Sequence, residues 1–289
     1  MRVLRSLEFV ETRELGAFLR TRRERLAPSE EHGRRRARRT PGLRREEVAE
    51  LAGVSVDYVV RLEQGRGLRP SPEVLEALAR ALRLTEDERA YLFALAEQRP
   101  AHPPRRAGRA PESLAKLVND LSPLPCMLVD HRFDILAWNP EMAGLLMLDL
   151  AEVPASRRNT MWLCMLEPGL REFYMDRERI VREGIADLRA AWASYPDDRS
   201  LGSLIEELTT SSAEFARLWD RRDVKVNGRG RKRLRHTVVG PLTVDYEVLA
   251  PLQDLDQRLV IYRAADPASR IALDEIARTA RRPLELTAP

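Results

Sequence analysis

The apolar positions of this chain change period along its length. Through the first hundred residues they fall three and four apart, the spacing of helices with one buried face. Leu15, Phe18, Leu19 and Leu26 share one face of a predicted helix from Arg13 to Leu26, with Arg20, Arg22, Arg23 and Arg25 elsewhere. The stretch before it, Met1–Thr12, has no clear period and reads as a frayed extension. Val48, Ala52, Val54, Val59 and Leu62 then set out two short helices that share a buried seam, broken at Gly53. Ala49 is small where those helices must meet, Gly53 is free to take φ > 0, and Ser55 stands at an N-cap position. Gly65 follows the last periodic residue as a left-handed helix stop. Ser71-Pro72 opens a fourth helix with the stripe Val74, Leu75, Leu78, Ala79 and Leu82. Thr85-Glu-Asp-Glu88 is a capping box for a fifth, packed by Tyr91, Leu92 and Leu95.

The Pro- and Arg-rich run 99–111 has no apolar face and reads as a linker between a domain at 13–98 and a second at 112–282. The second opens with a helix over Glu112–Leu121. Pro125–Val129 and Arg132–Trp138 form a β-hairpin turning at Asp130-His131. A long helical stretch from Asn139 to Asp220 follows; in it Met161–Leu166 is apolar almost all round, the mark of a helix that is buried or lines a cavity. Ser200–Leu208 is amphipathic, and Phe215, Leu218 and Trp219 form another inward face. Arg231–Val239 alternates and turns at Gly240-Pro241. Leu242, Val244, Tyr246 and Val248 then point one way and Thr243, Asp245 and Glu247 the other. Leu259–Tyr262 is a third late strand, and Asp266–Arg281 a closing helix. The expectation is an all-α five-helix domain followed by an α+β domain, an antiparallel sheet with helices on one side.

Charge divides the chain where the periodicity does. Residues 1–110 hold 24 Lys+Arg against 17 Asp+Glu, a net of +7; the remainder holds 25 against 28, a net of −3. A basic front half suits a polyanion. Five arginines, Arg34, Arg35, Arg36, Arg38 and Arg39, crowd six positions just before the two-helix unit. Their charges repel in a lone chain, and beside DNA they release counterions or enter a narrow minor groove. Cys126 and Cys164 stand in no metal or redox spacing, and no apolar run is long enough to span a membrane, so a cytoplasmic protein is expected. The small residue, turn glycine and cap in that order predict a DNA-binding helix-turn-helix; an ordinary helical hairpin would not need all three.

The region Leu15–Glu97, above all Arg44-Arg-Glu-Glu-Val-Ala49 and Val59-Val-Arg-Leu-Glu-Gln-Gly-Arg66, resembles the XRE (lambda-repressor-like) transcription regulators. Within them it is similar to a subgroup with an Arg-rich loop before the two-helix unit. Ile135–Asn139, Arg157-Arg-Asn159, Glu214–Trp219, Arg231–His236 and Leu242–Val248 resemble the MmyB-like ligand-binding domain. The first resemblance implies that the second helix of the pair enters the major groove. Ser55, Val56, Asp57, Tyr58 and Arg61 would then face DNA, Arg61 bidentate to guanine, Val56 on a thymine methyl. Asp57 would orient Arg61 rather than accept from cytosine, and Arg45 and the Tyr58 hydroxyl would meet phosphate. The family also implies a homodimer.

The second resemblance implies a PAS-like fold and a small hydrophobic ligand such as a fatty acid. Trp138, Trp162, Trp219 and Tyr246 are its candidate walls, and Arg158, Asn159, Asn139 and His236 candidate anchors for a carboxylate head. Met165 lies near where relatives carry an aromatic, so it is counted with the walls. Tryptophans at helical spacing also serve as plain core. No H-E-x-x-H, G-x-S-x-G, phosphate-cradling glycine loop or Cys/His metal spacing points to an enzyme or a cofactor. The alternative to a sensor is a constitutive DNA binder whose back half only dimerises or holds a protein partner.

Overall fold

No proline stands between Arg2 and Arg25, and helix α1 runs over that whole length (Arg2–Arg25). The segment expected to fray is therefore its first half. The computed structural model describes residues 2–26, 42–66, 69–96, 109–253 and 256–280, with side chains from residue 12 onward. The arginines Arg34–Arg39 and most of the linker at 99–111 lie outside the described residues. The chain divides into two compact units. One takes in residues 1–103 with 192–198 and 220–225; the other takes in 104–191, 199–219 and 226–289.

In the first unit α1 is followed by α2 (Arg45–Ala52), α3 (Val56–Glu63), α4 (Pro72–Ala81) and α5 (Glu86–Ala96). Leu15, Phe18 and Leu19 of α1 are buried with Val48, Val59, Leu62, Leu75, Leu78 and Leu92. Helices α1 and α3 approach so closely that a Cβ on Gly16 would lie 2.5 Å from the Leu62 carbonyl oxygen. Arg22 and Arg23, placed off the buried face by pattern alone, are buried. They follow Phe18 and Leu19 by one turn and so share their face. Their stems pack inward, and their guanidinium groups meet Glu88 at 3.0 Å and Glu63 at 2.6 Å. The Thr85 capping box forms: the Glu88 amide donates to Oγ1 at 3.3 Å and the Thr85 amide to Oε2 of Glu88 at 3.0 Å. Ser71 has N-cap backbone angles, but its hydroxyl makes no cap bond.

The second unit contains α6 (Glu112–Asp120), strands β1 (Cys126–Asp130) and β2 (Ile135–Trp138), and helices α7 (Pro140–Leu146), α8 (Thr160–Leu166), α9 (Arg177–Ser194), α10 (Arg199–Ser211) and α11 (Ala213–Asp220). Helix α9 ends in a segment that belongs to the first unit. Strands β3 (Arg229–His236), β4 (Gly240–Leu249) and β5 (Gln257–Ala264) and helix α12 (Pro267–Ala280) complete it. The continuous helical stretch expected over 139–220 is thus several helices. Asn139 and Asn159 start new ones as N-caps, Met147 stops one in the left-handed region at φ 56, and Pro154 and Pro168 open 3-10 turns. The β3–β4 turn falls at 237–239, and Gly240-Pro241 already belong to β4, where they pair with His236 and Arg235.

The five strands form one antiparallel sheet in the order β2-β1-β5-β4-β3. The early hairpin joins the late strands because β1 pairs with β5, Cys126 opposite Ile261. Alternation gives the sheet two apolar faces. Met127, Val129, Val244, Tyr246, Val260 and Tyr262 meet α7, α8 and α12 in the larger core. Cys126, Leu128 and Leu259 on the other face meet Val118 of α6. The body of helices lies on one side, as the α+β expectation has it, and α6 alone is seen to cover part of the other. Burial pushes the Cys126 thiol up to about 12, so it packs in that core as a small apolar residue.

Candidate functional site

The first unit turns one edge of α3 to solvent. Gly53 ends α2 at φ 67 and sends the chain into Ser55, whose hydroxyl accepts from the Tyr58 amide at 3.1 Å. Val59 and Leu62 hold the helix to the core. Ser55, Val56, Asp57 and Arg61 are exposed and Tyr58 is half-buried. Among the described residues the Arg61 guanidinium has no hydrogen bond or ion pair, and none joins it to Asp57. The expected orienting pair is therefore not formed in the chain without DNA. Burial raises the Tyr58 phenol above its ordinary range, so it remains a hydroxyl donor.

Behind that edge sits an ionic clasp. The Glu63 side chain is 3% exposed. It accepts from Nε and Nη2 of Arg23 at 2.6 and 3.1 Å and from Nε of Arg45 at 2.8 Å. Arg23 also donates to the Leu43 carbonyl at 3.0 Å. The clasp ties the end of α3 to α1 and to the start of α2. Arg45, expected on phosphate, is thus held by Glu63 while its side chain stays 40% exposed.

The second unit holds a partly open cavity of about 130 Å³ between the sheet and helices α8 and α9. Met127, Val129, Leu146, Met161 and Leu163 make its apolar walls, and Glu183, Asp187 and Arg258 stand at a polar end. That end is internally satisfied: Arg258 pairs with Asp187 at 3.0 Å, and Glu183 accepts from Arg179 at 3.1 Å. The sheet brings Lys232, Tyr246 and Tyr262 to the cavity, and Tyr174 closes on them from the segment that bridges to β3 at Leu234. The ammonium of Lys232 lies 4.7, 5.1 and 5.6 Å from the ring centroids of Tyr246, Tyr262 and Tyr174. It donates to the Tyr262 hydroxyl at 2.7 Å. Gly230 stands opposite Tyr246, and a Cβ there would come within 2.9 Å of the ring, so only glycine leaves the ring room to lie over β3 beside Lys232. Desolvation pulls the Lys232 ammonium down, but Tyr262, by charge and by hydrogen bond, with Tyr246 and Cys164, holds it above the ordinary lysine range. Burial lifts the Tyr174, Tyr246 and Cys164 groups, which keeps them neutral.

Residues 14–92 match the model of a helix-turn-helix domain. Residues 110–276, more than half of the chain, match that of the MmyB-like transcription regulator ligand binding domain. The chain belongs to the MmyB-like transcription regulators. A comparison with curated proteins gives no match. This MmyB-like regulator joins a DNA-binding module to a ligand-binding module, and neither family is an enzyme. Among the described residues no helix is long and apolar enough to cross a membrane, and no group of His, Cys, Asp and Glu could hold a metal ion.

Of the residues expected at the regulator's ligand, Tyr246 alone lines the cavity. The others lie outside its lining. Asn139 and Asn159 are completely buried, and their amides are saturated. Asn139 accepts from the Cys126 and Met142 amides, each at 3.0 Å, and donates to the Val118 and Leu124 carbonyls at 3.3 and 2.7 Å. Asn159 accepts from the Met161 and Trp162 amides at 3.0 Å and donates to Arg132 and Asp134 at 2.8 Å. Two donors and two lone pairs are all an amide has, so neither can hold a carboxylate head. His236 accepts the Val238 and Val239 amides on Nδ1, so its proton is on Nε2 and donates to the Gly144 carbonyl at 3.0 Å.

Arg158 binds the Ala151 and Val153 carbonyls at 3.2 and 2.8 Å and covers the Trp138 ring at 4.9 Å. Trp162 donates to Glu207 at 2.9 Å beneath Arg157. Trp219 stacks on Phe215 at 5.7 Å, and the buried Arg189 guanidinium lies 3.8 Å from its ring centroid. Met165 is half-buried outside the cavity lining. Lys232, Tyr174, Tyr262 and Arg258 were not expected there. Strand parity held a signal for one of them: Lys232 shares its side of β3 with Leu234 and His236, so a cation stood at an inward position.

Proposed function

We propose that the regulator reads a specific duplex site with α3 in the major groove, as one half of a two-fold dimer. A small hydrophobic, fatty-acid-like molecule in the cavity of the second unit modulates that binding. The observation that carries the first part is the division of α3: Val59 and Leu62 anchor one edge, and Ser55, Val56, Asp57 and Arg61 are left exposed on the other. Arg61 reads guanine and Val56 a thymine methyl. The Tyr58 hydroxyl donates to phosphate, as does Arg45 through whatever of its guanidinium the clasp leaves exposed. The loop arginines Arg34, Arg35, Arg36, Arg38 and Arg39 add sequence-independent attraction.

Arg61→Ala is expected to lose about 1–3 kcal/mol on the cognate site and far less on random DNA. Selection of bound sequences followed by fluorescence anisotropy measures both, and equal losses would remove Arg61 from base readout. Replacing the five loop arginines by serine should instead flatten the slope of log K against log salt on every sequence. An unchanged slope would show that they do not meet phosphate.

The cavity carries the second part. An apolar void of about 130 Å³ compares with the roughly 150 Å³ cavity that takes up benzene. It accommodates a single ring or a short chain, and a long acyl chain would have to open it further. Ligand alters DNA binding only through different affinities for two states of the dimer. Extraction of the purified chain with mass spectrometry, and DNA binding with and without the extracted molecule, tests the reading. A chain that is empty and indifferent to added ligand would instead be a constitutive dimeric binder.

A further inference from the structure

We propose that Lys232 and Tyr262 form an anion site on the wall of the cavity, which selects ligands with a single carboxylate head over neutral molecules of the same shape. The inference rests on the cavity being the ligand site, and it supplies the head-group anchor that Arg158, Asn159, Asn139 and His236 do not. A cation in an apolar pocket is costly unless an anion compensates it. Among the described residues no carboxylate lies within ion-pair distance of Lys232. Among the described residues its one hydrogen bond goes to the Tyr262 hydroxyl, and three tyrosine rings lie around it.

The two acidic residues on the cavity wall are committed elsewhere. Asp187 holds Arg258 at 3.0 Å and the Asn227 amide at 3.4 Å, and Glu183 holds Arg179 at 3.1 Å. An ammonium has three donors, and one is used. Tyr262 accepts from it, and among the described residues nothing accepts the Tyr262 hydroxyl proton in turn. Two Lys232 donors and one phenol donor are therefore left over on the wall of a largely apolar cavity. A carboxylate has two oxygens to receive them, and the remaining apolar walls receive its body. A cationic or neutral head would leave the ammonium uncompensated, and a dianion would bring one charge more than the site balances.

Calorimetric titration of the full chain with octanoate and phenylacetate, each against its uncharged amide, tests the assignment. The wild-type chain is expected to bind one or both carboxylates roughly ten- to hundredfold more tightly than the matching amide, the range of a charge-assisted hydrogen bond. Lys232→Met keeps the length and apolar stem, and should bring acid and amide to within about twofold by losing affinity for the acid. Tyr262→Phe removes one donor with little change of shape and should lose part of the discrimination, which guards against a Lys232→Met chain that fails to fold. Equal binding of acid and amide by the wild type overturns the anchor while leaving a hydrophobic ligand in place. Acid preference that survives both substitutions overturns it too, and no binding of any of the four probes overturns it together with the cavity reading for ligands of this size.

Discussion

Glu63→Ala is expected to destabilise the first unit by about 3 kcal/mol, the lower end of the cost of unpairing a buried cation, because Arg23 keeps only the longer, more exposed pair with Glu24 at 3.6 Å. Glu63 is the meeting point of two guanidinium groups, at 2.6 Å from Arg23 and 2.8 Å from Arg45. The exposures differ. The Arg23 side chain is 10% exposed and that of Arg45 is 40%. Solvent screens the second pair, so most of the loss comes from Arg23. The same substitution frees the end of α3 from α1, and specific DNA binding should fall with it. Hydrogen exchange at the amides of α1 and α3 in the intact chain reads the loss without requiring the two units to unfold together. Protection that drops by less than about tenfold would mean that packing of Leu62 and Val59, rather than the clasp, holds the helix. Glu63→Gln keeps the shape and removes the charge, so a loss close to that of alanine assigns the effect to charge.

Asn139→Ala should cost the second unit about 3 kcal/mol or more, since the Cys126 amide and the Val118 and Leu124 carbonyls lose this side chain at roughly 1–3 kcal/mol for each one left unsatisfied, while the Met142 amide keeps the Asn139 carbonyl at 3.1 Å. The amide side chain caps α7 through Met142, fixes the start of β1 through Cys126, and receives the chain after α6 through Val118 and Leu124. It is a three-way junction made by one residue. Asn139→Asp retains both acceptor contacts but sets its second carboxylate oxygen against the Val118 and Leu124 carbonyls in a buried site, so it should cost at least as much as alanine. Urea unfolding measures the ordering; a shifted midpoint at constant slope is the expected form. If alanine moved the midpoint by less than about 1 kcal/mol in energy, relaxation of the junction would have replaced the amide, contrary to its complete burial.

Both residues show how far a pattern reaches. Glu63 follows the periodic residue Leu62 and reads as a solvated charge until α1 is laid across it. Arg22 and Arg23 read as surface because charge alone says surface, and one helical turn behind Phe18 and Leu19 they are buried. Asn139 and Asn159 read as head-group anchors because hydrogen-bonding capacity is visible in a sequence, whereas its consumption by distant backbone is not. The tryptophans misled for a related reason. Size and apolar character suit a cavity wall and a packed core equally, and Arg158 over Trp138 or Arg189 over Trp219 puts them in packing.

The sequence by itself determined the local elements and their chemistry of termination. Gly53 at φ 67, Ser55 as cap and the Thr85 box act within a few residues, so their meaning does not wait for the fold. It also determined, by strict alternation, which side of β4 is buried. What faced what was decided by tertiary structure alone. β1 finds β5 across more than a hundred residues, and Lys232 finds Tyr174, Tyr246 and Tyr262 from separate segments. Periodicity is carried by neighbours in the chain. A cavity is carried by residues whose proximity only the closed sheet creates.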